Sequence, residues 1–326
     1  MATGKASDLT IYQEQFLGGY VETVQQNVNA FNAASGGAIR LINDLHIGDY
    51  DAETFFDVVA SLVSRRDTTS TSAATDLAIT SDEFRGVKLN RKIGPVGQTL
   101  DAWRKINKDE KIMSMILGEQ TAKATAQEML NTALSAVEAK LDSVAALEHS
   151  ATDGTCASTD LATGLSKFGD AAGNIVIWVM HSKVYYDLLG NQITNAIYRA
   201  NNTRIMDGVP ATLGRPVLIT DSSSLLESNG VSSGIDCYST LGLVSGAIEI
   251  KESEPPRTVL DLVTGLENLV YRFQGEYAYT LRLRGCEWDT STGGVNPSAG
   301  SVATAGNWDT QVADNKLLPG IIIKSQ

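Results

Sequence analysis

Apolar positions recur at three- and four-residue steps from Leu9 to Phe31, through Phe16, Tyr20, Val24 and Val28, which predicts an amphipathic helix closed by Ser35-Gly36-Gly37. A second short helix is predicted from Asp51, a good N-cap, with Phe55, Phe56, Val59, Leu62 and Val63 on its buried face. From Thr68 to Gly97 the chain turns polar and small, alternates irregularly over Phe84 to Ile93 and is broken by Gly94-Pro95, which predicts a long exposed β-hairpin. The longest helical stripe follows. Asn107 and Glu110 form an N-cap and N3 pair, and Ile112, Ile116, Leu130, Leu134, Val137 and Leu141 keep to one face, with no proline between Pro95 and Pro210. Carried to His149, this helix spans about 60 Å at about 1.5 Å per residue, against a diameter of about 50 Å for a compact globule of this length. The molecule is therefore predicted to be elongated, with Gly118 as the place where the helix could bend.

Beyond Gly154 the pattern becomes mixed α/β. Ile175 to Met180 is an unbroken apolar run, as expected of a strand covered on both faces; Ser182 then caps a helix whose apolar face holds Val184, Tyr185, Leu188, Leu189 and Ile193. Further strands are predicted near Ile235 to Leu243 and Ala247 to Ile250, with Glu254-Pro255-Pro256 separating these from Asn268 to Phe273. Glu276 to Arg284 alternates with Tyr277, Tyr279, Leu281 and Leu283 on one face, a half-buried strand, and a last strand is predicted over Leu317 to Lys324.

Composition narrows the function. The chain has 326 residues, 43% of them hydrophobic, enough for a substantial core. A formal net charge of −12 argues against a protein built to grip phosphate, which needs a surplus of Lys and Arg. No secretory apolar stretch opens the sequence and no segment is long and apolar enough to span a membrane, so neither export nor membrane insertion is expected. Cys156, Cys237 and Cys286 match no zinc spacing and are expected to be reduced thiols of a cytosolic environment.

The chemistry of an enzyme needs a constellation, and none of the familiar ones occurs: no phosphate-binding Gly-Lys-Ser/Thr loop, no nucleophile elbow, no His-Glu-x-x-His and no Cys-x-x-Cys. Neither a metal nor a cofactor is implied. Of the imidazoles, His46 falls in a loop, His149 near a helix end and His181 at a strand-to-helix junction. His181 reads as a hydrogen-bonded cap, the alternative being a hydrolase base beside Ser182. From Asp82 to Lys111 eight positive side chains stand against five negative ones, a local surplus in an acidic chain. It is a solvated face, a contact with DNA or, more sharply, a loop that docks Arg85, Lys88, Arg91 and Lys92, with Phe84 among them, onto an acidic surface of a neighbouring copy.

The unit "strand, Met180-His181-Ser182, helix, long loop, Leu213-Gly214-Arg215-Pro216-Val217 strand" resembles a segment of tailed-bacteriophage major capsid proteins with the HK-type fold. Phe273-Gln274-Gly275-Glu276-Tyr277 with Trp288-Asp289, and the tail Asn307-Trp308-Asp309 with Lys316 to Gly320, are similar to later parts of the same family. The resemblance implies an α+β fold: an N-terminal arm over 1–49, a helix leading to the loop over 50–65 and an extended β-hairpin loop over 66–97. A peripheral domain with a long spine helix over 98–153, a mixed α/β axial domain over 154–253, and a return to the peripheral domain with a C-terminal strand over 254–326 complete it. It further implies a non-enzymatic virion shell protein that assembles in the bacterial host cytoplasm into hexamers and pentamers of an icosahedral capsid around double-stranded DNA, without sequence-specific binding. A separate scaffolding protein, a portal and a decoration protein are the implied partners. A bacterial encapsulin-like compartment with protein cargo is the other use of such a shell.

Overall fold

The computed structural model describes residues 35–43, 48–56, 63, 65–66, 68–69, 71, 76–77, 81–99, 110–151, 154–199, 212–232, 234–265 and 267–326, and places one long helix against two main β-sheets. Strands β1 (Ile39–Asn43) and β2 (Tyr50–Phe56) come first. Asp51, expected to cap a helix, instead sits inside β2 opposite Gly86. Phe55 and Phe56 of that expected helix likewise belong to β2, while Val59 and Leu62 lie outside the described residues, as do the stripe from Leu9 to Phe31 and His46.

Most of 66–80 lies outside the described residues; of the long exposed β-hairpin expected over 66–97, the residues from Ser81 onward form one strand, β3 (Ser81–Thr99), interior to a five-stranded sheet in the order β1-β9-β10-β3-β2. Its first part pairs with β2, and from Val87 onward it pairs with β10 (Val270–Leu283). Gly94-Pro95 does not end it. The register slips between Phe273 and Gly275, and Gly94, at φ +75°, passes so near its neighbour that a Cβ there would lie 2.9 Å from the Phe273 carbonyl oxygen. Strand β9 (Ile248–Val263) likewise runs straight through Glu254-Pro255-Pro256, where irregular pairing around Ala278 accommodates residues that lack an amide proton. Both expected breaks fail for one reason: pairing on either side of a bulge outweighs a local preference for a turn.

Helix α1 (Glu110–Asp142) is one unbroken 33-residue helix, about 50 Å long, with Gly118 buried inside it. It ends earlier than its pattern suggests because Glu148–Ala151 forms β4, parallel to β13 (Gly320–Ser325); His149 is therefore a strand residue, its Nε2 3.5 Å from Asp160. The proposed cap Asn107 lies outside the described residues. In its second half α1 is buried on most sides, at Thr132, Ala133, Leu134, Ala136, Val137, Lys140 and Leu141. An amphipathic surface helix buries a single stripe; this one has protein on both flanks. On one, Glu128 meets Tyr277 and Tyr279 of β10. On the other, Glu138 accepts from Ser239 at 3.0 Å and Asp142 pairs with Lys324 at 2.5 Å.

Those last partners belong to the six-stranded sheet, which runs β4-β13-β8-β5-β6 with β7 (Leu226–Ser232) beside β8 (Ile235–Val244). Helix α2 (Ser158–Lys167) packs on its other face, where Gly164 lies against Ile323. The C-terminal strand β13 thus joins the sheet of the 154–253 segment rather than the β9–β10 ladder that precedes it in sequence. Its run Ile321-Ile322-Ile323 is wholly buried, as a central strand covered on both faces requires.

The stretch that carried the family resemblance has a local explanation. β5 (Ile175–His181) lies parallel to β6 (Val217–Thr220). Between them Leu213 and Gly214 take left-handed backbone, after which Arg215 donates from Nε to the Ile175 carbonyl at 2.8 Å and from Nη2 to the Ala172 carbonyl at 2.9 Å. The Trp178 amide donates to Pro216 O and its indole to Thr212 O. The turn, the clamp and the strand thus need one another in that order.

Candidate assembly surface

Alternation along β3 sends the five candidate contact residues to opposite faces of the sheet. Arg85 and Arg91 point to the side of α1, while Phe84, Lys88 and Lys92 point away from it. Arg91 donates from Nε to Glu128 at 2.7 Å. Glu128 also accepts from Tyr277, Tyr279 and Thr132, each at 3.1 Å, and the Arg91 guanidinium lies 5.9 Å from the centroid of the Tyr279 ring. Burial, and then the Glu128 carboxylate, push both phenols well above their ordinary range, so they serve as fixed donors. This cluster ties α1 to β3 and β10.

Arg85 pairs with Glu83 and, at 3.1 Å, with Glu287 of β11 (Cys286–Trp288). Lys88, only 8% exposed, crosses β10 to reach Glu254 of β9 at 2.5 Å and holds that carboxyl below its usual range. Phe84 stacks on Phe55 of β2, with centroids 4.0 Å apart and planes 8° from parallel. Lys92 is exposed and makes no ion pair among the described residues. Three of the cations read along the sequence, Arg85, Lys88 and Arg91, are therefore paired inside the subunit with carboxylates distant in sequence, Glu287, Glu254 and Glu128, while Arg104, Lys105 and Lys108 lie outside the described residues.

A feature that the sequence did not disclose is a charged row across all five strands. Arg40 faces Glu249, Glu249 faces Arg282, and Asp51 faces Gly86. Arg282 passes over Gly86, where a Cβ would lie 2.2 Å from its Cγ, and so reaches Glu53 at 2.8 Å and Asp51 at 3.7 Å on β2. Lys251 joins Asp51 at 2.6 Å. The strand-face alternation was legible, but which strands lay side by side was not.

The remaining candidate chemistry is structural. His181 ends β5, and its Nδ1 accepts from the Lys183 amide at 3.2 Å, so the imidazole caps α3 (Ser182–Arg199) as expected of it, while Ser182, also expected as a cap, is the first helical residue. Its ring also rests on Tyr238, 5.0 Å between centroids. All three cysteines are free and buried, and burial pushes the thiols of Cys156 and Cys286 up to about 12, which leaves them unreactive. Among the described residues no group of His, Cys, Asp and Glu is arranged to hold a metal, and no helix is long and apolar enough to cross a membrane.

With the geometry established, comparison with known proteins is informative. The family described as Major capsid protein 13-like (Gp13-like) matches residues 8–322. No curated protein sequence matches. Among solved structures, the fold is similar to that of Mycobacterium phage Cain, at TM-score 0.56 and 8% identity over 90% of each chain. The capsid of Myoviridae phage XM1 aligns at TM-score 0.52 and 11% identity over 89% of this chain and 90% of that one. The capsid asymmetric unit of cyanophage Pam1 aligns at 0.51 and 10% over 88% of each. At these identities the likeness concerns the fold.

Proposed function

The chain belongs to the Gp13-like major capsid protein family, and we propose that it is a tailed-phage coat protein whose copies form hexamers and pentamers that close an icosahedral container around double-stranded DNA. The observation that carries this reading is the match over residues 8–322, nearly the whole chain. The acid balance of −12 supports a wall that encloses the genome without gripping it, since each phosphate contact needs a cation. A separate scaffolding protein, a portal and a decoration protein are the proposed partners, and the host cytoplasm the proposed place of assembly. Function here is association, with no catalytic step.

Within that reading, Arg85, Lys88 and Arg91 hold the subunit in shape, and Lys92 is the cation of β3 that makes no ion pair among the described residues and is available to a neighbour. Electron microscopy of the protein produced together with its proposed scaffolding protein tests the proposal: closed icosahedral particles with five- and six-fold clusters are expected, and a population of monomers alone at high concentration would overturn it.

A further inference from the structure

Strand β7 pairs with β8 at Leu226 and Glu227 and again at Ser232, and the ladder is interrupted between them. The interruption holds Asn229 and Gly230, the single Asn-Gly step of the sequence, and both residues are exposed. Asn229 takes left-handed backbone at φ +59°. Its main-chain amide donates to Asp236 at 3.0 Å, and its side-chain Oδ1 accepts from the Gly234 amide at 2.7 Å. A Cβ on Gly230 would lie 2.7 Å from Cys237 Cβ and 2.9 Å from the carboxyl carbon of Glu227, so only glycine fits there. With no side chain of its own, Gly230 leaves its backbone nitrogen open to approach. Glu227 is exposed and makes no ion pair among the described residues.

Together these groups have the parts of a reaction site. The Gly230 nitrogen is the nucleophile that can close a ring on the neighbouring Asn229 Cγ. The Glu227 carboxylate, beside Gly230, is a base for its proton. The Gly234 amide already donates to Oδ1, the oxygen on which negative charge develops during attack. We infer that Asn229 is a self-modification site, where the chain's own backbone converts the side-chain amide to a succinimide and then to aspartate and isoaspartate.

The Gly230 amide gives its proton to Glu227 as its nitrogen bonds to Asn229 Cγ. The Cγ–Nδ2 bond then breaks, and the departing nitrogen takes the proton and leaves as ammonia. Water opens the ring in one of two ways. Cleavage of the new Cγ–nitrogen bond restores the main chain and leaves aspartate. Cleavage between the Asn229 carbonyl carbon and the Gly230 nitrogen leaves isoaspartate, which adds a carbon to the main chain. Either product adds a negative charge beside Glu227 and Asp236, and the isoaspartate lengthens the segment that joins the two paired ends of β7.

Asn296 supplies an internal control. It shares the left-handed backbone, at φ +50°, and its Oδ1 likewise accepts from an amide, that of Asn90 at 2.9 Å. Pro297 follows it, however, and a proline nitrogen has no proton to give up.

The experiment holds the purified, folded full chain at mildly alkaline pH for days and maps its peptides by mass spectrometry, with isoaspartate detected by enzymatic methylation. Asn229 is expected to become a mixture of aspartate and isoaspartate while Asn296 stays intact. Glu227→Gln is expected to slow the conversion about tenfold or more. The chain unfolded in urea is expected to convert Asn229 more slowly than the folded one, since base and donor are then dispersed. Persistence of Asn229 in the folded chain, a product of aspartate alone, faster conversion in urea, or an unchanged rate in Glu227→Gln each overturns the inference.

Discussion

Arg91 on β3 and Glu128 on α1, 2.7 Å apart, form the polar joint through which the long helix holds the five-stranded sheet. Tyr277 and Tyr279 complete it, and Arg91 Nη2 is buried with no hydrogen-bond partner, so the pair bears most of the guanidinium's satisfaction. Removing one side leaves the other charge uncompensated in a partly buried site. Glu128→Ala is expected to lower subunit stability by about 2–4 kcal/mol in urea denaturation, and Glu128→Gln by less, since its amide oxygen still accepts. Equal losses from the two variants would show that the carboxylate charge and its acceptors are not what matters.

Gly86 is present because Arg282 lies on it. Gly86→Ala puts a methyl 2.2 Å from Arg282 Cγ and 2.9 Å from the Leu281 carbonyl oxygen, and a loss of about 1–3 kcal/mol is expected. In an Arg282→Ala background the same substitution should cost distinctly less, a coupling read from a double-mutant cycle of thermal melts.

The imidazole of His181 caps α3, so His181→Ala is expected to lower stability by about 1 kcal/mol while His181→Asn keeps most of it. Particle assembly should persist in both. Hydrolytic activity in the wild-type protein that vanished with His181→Ala would contradict this role.

Burial raises the carboxyl of Glu138, where α1 meets the six-stranded sheet, and the hydrogen bond from Ser239 opposes that rise only in part. A carboxyl raised in the folded state binds its proton more tightly there than in the unfolded chain. Its ionisation therefore removes stability as pH rises through the folded value, and none is lost below the ordinary carboxyl range. Glu138→Gln is expected to leave stability unchanged at acid pH and to raise it at neutral pH by up to about 1 kcal/mol, measured by urea midpoints across the range. A loss at neutral pH would show that the Ser239 bond outweighs the burial of charge.

Periodicity by itself determined α1, β5, β8, most of β10 and β13, because each is long or apolar enough that its burial pattern survives in the residues themselves. The order of these elements, with Leu213-Gly214-Arg215-Pro216-Val217, also carried the resemblance to the family. Tertiary structure decided what local preference could not. Asp51 became a strand residue because β3 offers it a partner row, the prolines at 95, 255 and 256 were absorbed by bulges, and the final strand crossed to the far sheet. It also gave Arg91, Lys88 and Arg85 their internal partners, since Glu128, Glu254 and Glu287 meet β3 only after folding. Periodicity reports how much of a residue is buried; which distant chain segment buries it depends on pairings that one sequence read in order does not contain.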